Sequence, residues 1–287
     1  MYTHRILVAG CKINLYLRIT GRRPDGYHDL DTLFYPLGTP SDRIAITPRS
    51  GPSNLTISCS DPLLQGPNNI LNRVYFLYQA KTGRALPNLH IRLTKGIPTG
   101  AGLGGGSSDA AALLRYLDGP DPVGTNLLQS MARTLGADVP FFLQDRPAWA
   151  QGIGDRLSPV EFRIPAKHLL LIFPPLSVST AWAYHAWDAL DVEKPWKSPE
   201  LTSTFPEAKQ SPFRNGVYLY NDFERVVFPR HKALRHLKIK LLTCGALGCL
   251  MTGSGSCLFG LFEDQRGLDR ARKYLNRHSF PHHSHGI

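Results

Sequence analysis

Residues 98–114 read "PTGAGLGGGSSDAAALL", and a flexible linker, a dinucleotide fingerprint and a phosphate-holding loop all compete for this stretch. Glycines at 100, 102, 104, 105 and 106 permit positive φ and close backbone approach, so the run can wrap its N–H groups around an anion. A linker would not carry Leu103 at its centre, nor lead straight into an alanine-rich helix. The start of that helix adds orphan N–H donors and the positive end of a dipole. Ser107 and Ser108 are good capping residues, and their hydroxyls suit phosphate oxygens or a magnesium ion. Phosphate binding is the favoured reading, with Pro98, Gly100, Gly102, Leu103, Gly104, Gly105, Gly106, Ser107 and Ser108 as the nucleotide-binding set.

The kind of phosphate loop follows by elimination. A Walker A loop needs GxxxxGK and a Ser or Thr, and no lysine stands there. Gly100, Gly102 and Gly105 match GxGxxG, and Asp118 and Asp121 lie near the distance of a ribose-binding acid. Those aspartates sit in "DGPDPVG", read as a loop, whereas a Rossmann acid ends the second strand. Several strands and a helix also precede the glycines. The dinucleotide reading takes second place.

The chain has 287 residues, 42% hydrophobic and 19% charged, a globular composition sufficient for two domains with their own cores. The longest apolar run, Leu169–Phe173, is far short of the roughly 20 residues that cross a bilayer. No signal peptide is evident at the N-terminus, so a soluble, cytoplasmic protein without membrane partners is expected. The five cysteines form no CxxC pair and read as reduced packing thiols. A net charge of +11 suits nucleic acid or a substrate carrying several phosphates. The basic residues are dispersed and no nucleic-acid-binding motif is present. The tail "RHSFPHHSHGI" reads as frayed and solvated rather than as a metal site.

Ile13, Leu15, Leu17 and Ile19 alternate with polar residues, predicting a strand with one buried face. Pro24-Asp25-Gly26 signals a tight turn. Segments 43–47, 54–58 and 89–93 read as strands, and 68–82, 107–117, 126–135 and 180–190 as helices. "GADVPFFL" (136–143) is expected to be extended, with Pro140 biasing Val139 away from helix. A polar segment at 154–166 separates an N-terminal domain (1–160) from a C-terminal one (161–287). Residues 194–216 read as a surface loop, and 248–277 as strand, turn, strand and helix. Strands and helices mix without strict βαβ alternation, which gives an α+β fold class.

Single residues remain ambiguous at this level. Asp138 is a candidate base, or an ordinary loop or capping Asp. Lys12 opens an alternating strand, where an exposed strand-end lysine is the commoner case. Asn14 shares its face and suits substrate orientation, or is a plain strand polar residue. Asp109 reads as a cap or an orienting group for the phosphate-loop helix. Gly253 and Gly255 suit either backbone approach to phosphates or a simple hairpin.

Together "CKINLYLRITGRRPDGYHDLDTLF", the glycine loop, "GADVPFF" and "MTGSGSCLFG" resemble motifs of the GHMP kinases over nearly the whole chain. Gly10-Cys11 stand where that family has Pro-Ala. The resemblance implies a ribosomal-protein-S5 domain-2-like N-terminal domain and a ferredoxin-like C-terminal domain. It implies ATP with Mg2+, metal ligands unspecified. The string with "GRRPDGYH", which resembles one branch of the family and not the mevalonate- or homoserine-type kinases, implies a small-molecule cytidine diphosphate substrate, 4-diphosphocytidyl-2-C-methyl-D-erythritol, phosphorylated at its 2-hydroxyl in non-mevalonate isoprenoid biosynthesis. Asp138 would then be the base and Lys12 its charge partner, with Tyr27, His28 and Tyr184 holding the cytosine. Mevalonate- or homoserine-type kinases are the alternative, and a basic nucleic-acid-binding protein a more distant one. Oligomeric state is not specified.

Overall fold

Alternating residues make Arg5–Arg22 one long strand, β1, and the Pro-Asp-Gly turn reverses it into β2 (His28–Arg49). Gly26 takes φ +86°, and the Arg23 N–H donates to the Tyr27 carbonyl at 2.8 Å to close the turn. The remaining elements are β3 (Leu55–Cys59), α1 (Ile70–Thr82), β4 (Asn88–Thr94), α2 (Gly105–Asp118), α3 (Thr125–Leu135), α4 (Val139–Gln144), β5 (Ala148–Gly152) and β6 (Arg156–Pro159). After these come β7 (His168–Ile172), α5 (Thr180–Asp188), β8 (Ser203–Thr204), β9 (Tyr218–Asn221), α6 (Glu224–Arg230), α7 (Lys232–Thr243), β10 (Gly248–Met251), β11 (Leu258–Phe262), α8 (Gln265–Arg277) and β12 (His282–Gly286). This computed structural model describes residues 2–119, 121–190, 203–204 and 218–287. The loop expected at 194–216 lies outside the described residues, apart from β8.

Two units are discontinuous in sequence. One comprises residues 1–12, 36–99 and 104–158; the other comprises 13–35, 100–103 and 159–287. In the first, β4 runs between β3, its parallel neighbour, and β2, its antiparallel one. Helices α1–α4 pack on one another. Helix α1 begins where the Asn69 side chain accepts the Leu71 N–H and ends at Gly83 in the left-handed region. That places Leu71, Val74, Tyr75 and Tyr78 on its buried face.

In the second unit, β7, β10, β11 and β12 form an antiparallel sheet in the order β10-β11-β7-β12. With the intervening helices this is a β-α-β-β-α-β succession, the ferredoxin-like topology. Helices α5–α8 bury Trp187, Val227, Phe228, Leu234, Leu241, Ala271 and Leu275 in a core shared with Leu170, Ile172 and Leu258 of the sheet. Inside that core Lys238 is fully buried, and its Nζ lies 2.6 Å from Glu224 Oε2. The other Glu224 oxygen accepts the Met251 N–H at 2.9 Å, so the pair is hydrogen-bonded as well as charge-balanced.

Four local expectations change. Every residue from Cys11 to Leu15 is buried, not alternate ones, so both faces of β1 are covered along this stretch. Residues 139–144 form helix α4 instead of extended chain. Val139 and Pro140 occupy its first turn, where a missing N–H breaks no helical bond and proline's fixed φ suits the helix. Asp118 is the last residue of α2, not part of a loop. The His-rich tail is not frayed: residues 282–286 pair with His168–Ile172, completing a sheet whose edge would otherwise stay unpaired.

Candidate active site

In the first unit, Lys12 is 4% exposed, and its ammonium lies 3.5 Å from Asp138 Oδ2. A buried cation near the start of a strand requires such a partner. Asp138 stands at the N-cap of α4 but does no capping. Its backbone is right-handed helical (φ −83°, ψ −14°), and its side chain accepts no helix N–H. An ordinary capping Asp has extended backbone and bonds the second or third N–H. Its side chain is 30% exposed, so the carboxylate is open to a ligand.

Helix α2 begins beside this pair, and its cap is not a serine. Gly104, at φ +73°, holds the N-cap position with no side-chain cap bond. A Cβ on Gly104 would meet the Phe142 ring at 2.8 Å and Lys12 Cγ at 3.3 Å, so only glycine lets the helix start against Lys12. Ser107 and Ser108 fall inside the first turn. Pro98, Gly100 and Gly106 are exposed, whereas Leu103 is buried and anchors the loop. The first N–H groups of α2 have no side-chain cap, which leaves helix-start donors of the kind that suit an anion.

Asp109 is not a cap either. It lies inside α2, nearly wholly buried, and takes a 2.9 Å bond from Lys95 Nζ. Lys95 also bonds Asp42 Oδ2. The other Asp42 oxygen accepts the Gly96 and Ile97 N–H groups at 2.7 and 2.9 Å. The cluster therefore ties the chain entering the glycine loop to the helix leaving it. One ammonium serves two carboxylates. Burial, reinforced by Asp42 and only partly offset by Lys95, raises Asp109 to about 7. Asp42 and Lys95 escaped the sequence reading because nothing in their local pattern separates them from surface charges.

In the second unit, Asn14 is 1% exposed and strongly engaged. Its Nδ2 donates to Thr32 Oγ1 at 2.8 Å, while its Oδ1 accepts from the Gly253 N–H at 3.1 Å and the Thr252 hydroxyl at 3.2 Å. Asn14 thus sets the position of the 252–255 turn. Asn221 holds the same turn from β9, donating to the carbonyls of Met251 and Gly253 at 2.6 and 2.8 Å. A Cβ on Gly102 (φ +77°) would stand 2.4 Å from the Thr252 carbonyl. Backbone therefore meets backbone here, and Gly253 takes φ +56° for its part. Gly255 has φ +88° in the same turn.

The three aromatic candidates separate by exposure. Tyr27 follows the turn glycine and is 61% exposed. His28 is buried, stacked on Tyr184 with ring centroids 4.5 Å apart and planes at 16°. Trp187 meets the imidazole edge-on at 5.9 Å, and Tyr184 packs edge-on against Phe223. His28 Nε2 lies 2.6 Å from Asp188 Oδ1. Tyr184 and Asp188 are four apart on α5 and so share a face. That spacing was the available signal for Asp188, legible only once His28 was known to lie opposite.

Residues 69–146 match the GHMP kinases N terminal domain and residues 205–281 the GHMP kinases C terminal domain. A protein of Solidesulfovibrio magneticus named 4-diphosphocytidyl-2-C-methyl-D-erythritol kinase is 44% identical over 91% of this chain and 89% of its own. The chain belongs to the GHMP kinases, in the 4-diphosphocytidyl-2-C-methyl-D-erythritol kinase family. A relative of the same name from Nitratidesulfovibrio vulgaris is 41% identical over 97% of both chains. Among solved structures, a crystal structure of 4-(cytidine 5'-diphospho)-2C-methyl-D-erythritol kinase is similar, with TM-score 0.78, 37% identity and 98% of both chains covered. Homoserine kinase from Cytophaga hutchinsonii has TM-score 0.67 at 18% identity, over 100% of this chain and 95% of its own, and shares the fold. As a GHMP kinase of this family, the chain is an ATP-dependent small-molecule phosphotransferase. Among the described residues, no helix is long and apolar enough to cross a membrane.

Proposed function

We propose that this GHMP kinase transfers the γ-phosphoryl group of ATP to the 2-hydroxyl of 4-diphosphocytidyl-2-C-methyl-D-erythritol, a step of non-mevalonate isoprenoid synthesis. The observation that carries the chemistry is the Lys12–Asp138 pair at 3.5 Å, beside the uncapped start of α2. Phosphoryl transfer consists mainly of positioning and charge stabilisation. The N–H groups at Gly105, Gly106 and Ser107 hold phosphate oxygens. Asp138 accepts the proton of the attacking hydroxyl, and Lys12 stabilises negative charge on that oxygen. The 37–44% identity to relatives bearing this substrate in their names supports the choice of acceptor.

Magnesium accompanies ATP in this reading and neutralises charge between its phosphates. Among the described residues, no three His, Cys, Asp or Glu side chains converge as a metal cage. Magnesium needs none, because it is held through phosphates, waters and one or two protein oxygens. The Ser107 and Ser108 hydroxyls at the helix start are oxygen donors of that kind. The cytosine stacks on the exposed Tyr27 ring and on Tyr184, with His28 reading its polar edge.

Coupled measurement of ADP release decides the matter. Turnover with the cytidine diphosphate substrate, and none with mevalonate or homoserine, is expected. Equal or better turnover of either alternative alcohol would overturn the assignment.

A further inference from the structure

The 2.6 Å contact between His28 Nε2 and Asp188 Oδ1 has a consequence for which base the protein accepts. Asp188 is the last residue of α5, where a negative charge opposes the helix dipole. An acid persists there because two groups of opposite character face it. The Arg22 guanidinium lies 3.6 Å from Oδ2, and the imidazole occupies Oδ1. The His28 ring is clamped as well, face-on by Tyr184 and edge-on by Trp187, so it cannot flip to exchange its nitrogens without breaking that packing.

A carboxylate can only accept a hydrogen bond, so the neutral His28 ring must carry its proton on Nε2. Nδ1 then presents a lone pair. Cytosine offers an amine donor at the position where uracil offers a carbonyl acceptor. We infer that Asp188 is a specificity-determining positioning residue, which locks His28 as an acceptor at Nδ1 and thereby selects an amino-bearing pyrimidine over its keto counterpart. Asp188 acts through His28 and does not touch the ligand. The inference rests on the cytidine reading of the site.

Asparagine at position 188 tests it, because an amide can donate to Nε2 as well as accept. The donating rotamer moves the imidazole proton to Nδ1, turning an acceptor for cytosine into a donor for the uracil carbonyl. The measurement is kcat/KM for the cytidine diphosphate substrate and for its uridine counterpart under identical conditions. Asp188→Asn is expected to lower the cytidine-to-uridine ratio about 100-fold or more, with KM for ATP unchanged within about twofold. Asp188→Ala, which neither donates nor accepts, is expected to relax the ratio less. An unchanged ratio in Asp188→Asn, with cytidine turnover intact in the unsubstituted protein, overturns the inference and leaves the function standing. Imidazole 15N NMR of the unsubstituted protein provides a readout independent of turnover. A protonated Nε2 and unprotonated Nδ1 on His28 are expected, and the opposite tautomer overturns the lock. Absence of cytidine turnover, with the expected tautomer present, would instead remove the substrate assignment and with it the base selection built on it.

Discussion

Asp138 shows what one residue's surroundings add to its identity. Its local sequence favours a loop or capping Asp and only the family resemblance points to a base; in the structure it occupies a cap position without capping and faces a buried lysine. Asp138→Asn keeps the shape and removes the proton acceptor, so kcat is expected to fall about 100- to 10,000-fold. ATP-analogue binding, followed by calorimetry, is expected to be unaffected. Tyr27→Ala removes an exposed ring that supports no core, so Tm is expected to hold while KM for the cytidine substrate rises far more than KM for ATP. At the same scale, Asp109 links folding to pH. Its carboxyl sits near 7 in the folded protein against 3.8 for the free side chain. Between those values the folded state holds a proton that the unfolded chain has released. Its contribution to stability therefore falls as pH rises from about 4 to about 7, then levels off. Thermal melts across this window are expected to fall less steeply for Asp109→Asn than for the unsubstituted protein.

Several elements did not follow from local pattern, α4 and β12 among them. Helix α4 was hidden by Pro140, which reads as a breaker unless its place in the first turn is known. Strand β12 was hidden because histidines and a serine carry no alternating apolar signature. Only the waiting edge of β7 makes 282–286 a strand. Deleting residues 281–287 is expected to lower Tm by several degrees and to promote self-association by exposing that edge, readable by calorimetry and light scattering. The glycine loop was the reverse case, since its composition anticipated both positive φ and close backbone approach. What composition did not supply was the division of labour. Gly104 clears Lys12 and Phe142, whereas Gly102 clears the Thr252 carbonyl. Gly102→Ala is strained on both counts, and is expected to cost stability and raise KM for ATP together in thermal melts and steady-state kinetics.

For the whole molecule, the +11 charge accords with an enzyme handling two polyphosphates. Its effect should be kinetic: kcat/KM is expected to fall as ionic strength rises from about 50 to 200 mM, with kcat nearly constant, in initial-rate measurements. Read alone, the sequence sufficed for the α+β class, for most of the helices and strands, and for the positive-φ glycines and close backbone approach of residues 98–108. These depend on periodicity and on glycine chemistry, both of which act over a few neighbouring residues. The remaining polar partnerships emerged only in three dimensions. The family resemblance already implied Lys12 with Asp138, whereas Lys95 joins Asp42 to Asp109 and His28 leans on Asp188, each across a gap in sequence that no local pattern spans. The reason is electrostatic. A buried charge or hydrogen-bonding group must find a complement, and packing, not proximity along the chain, determines which one is within reach.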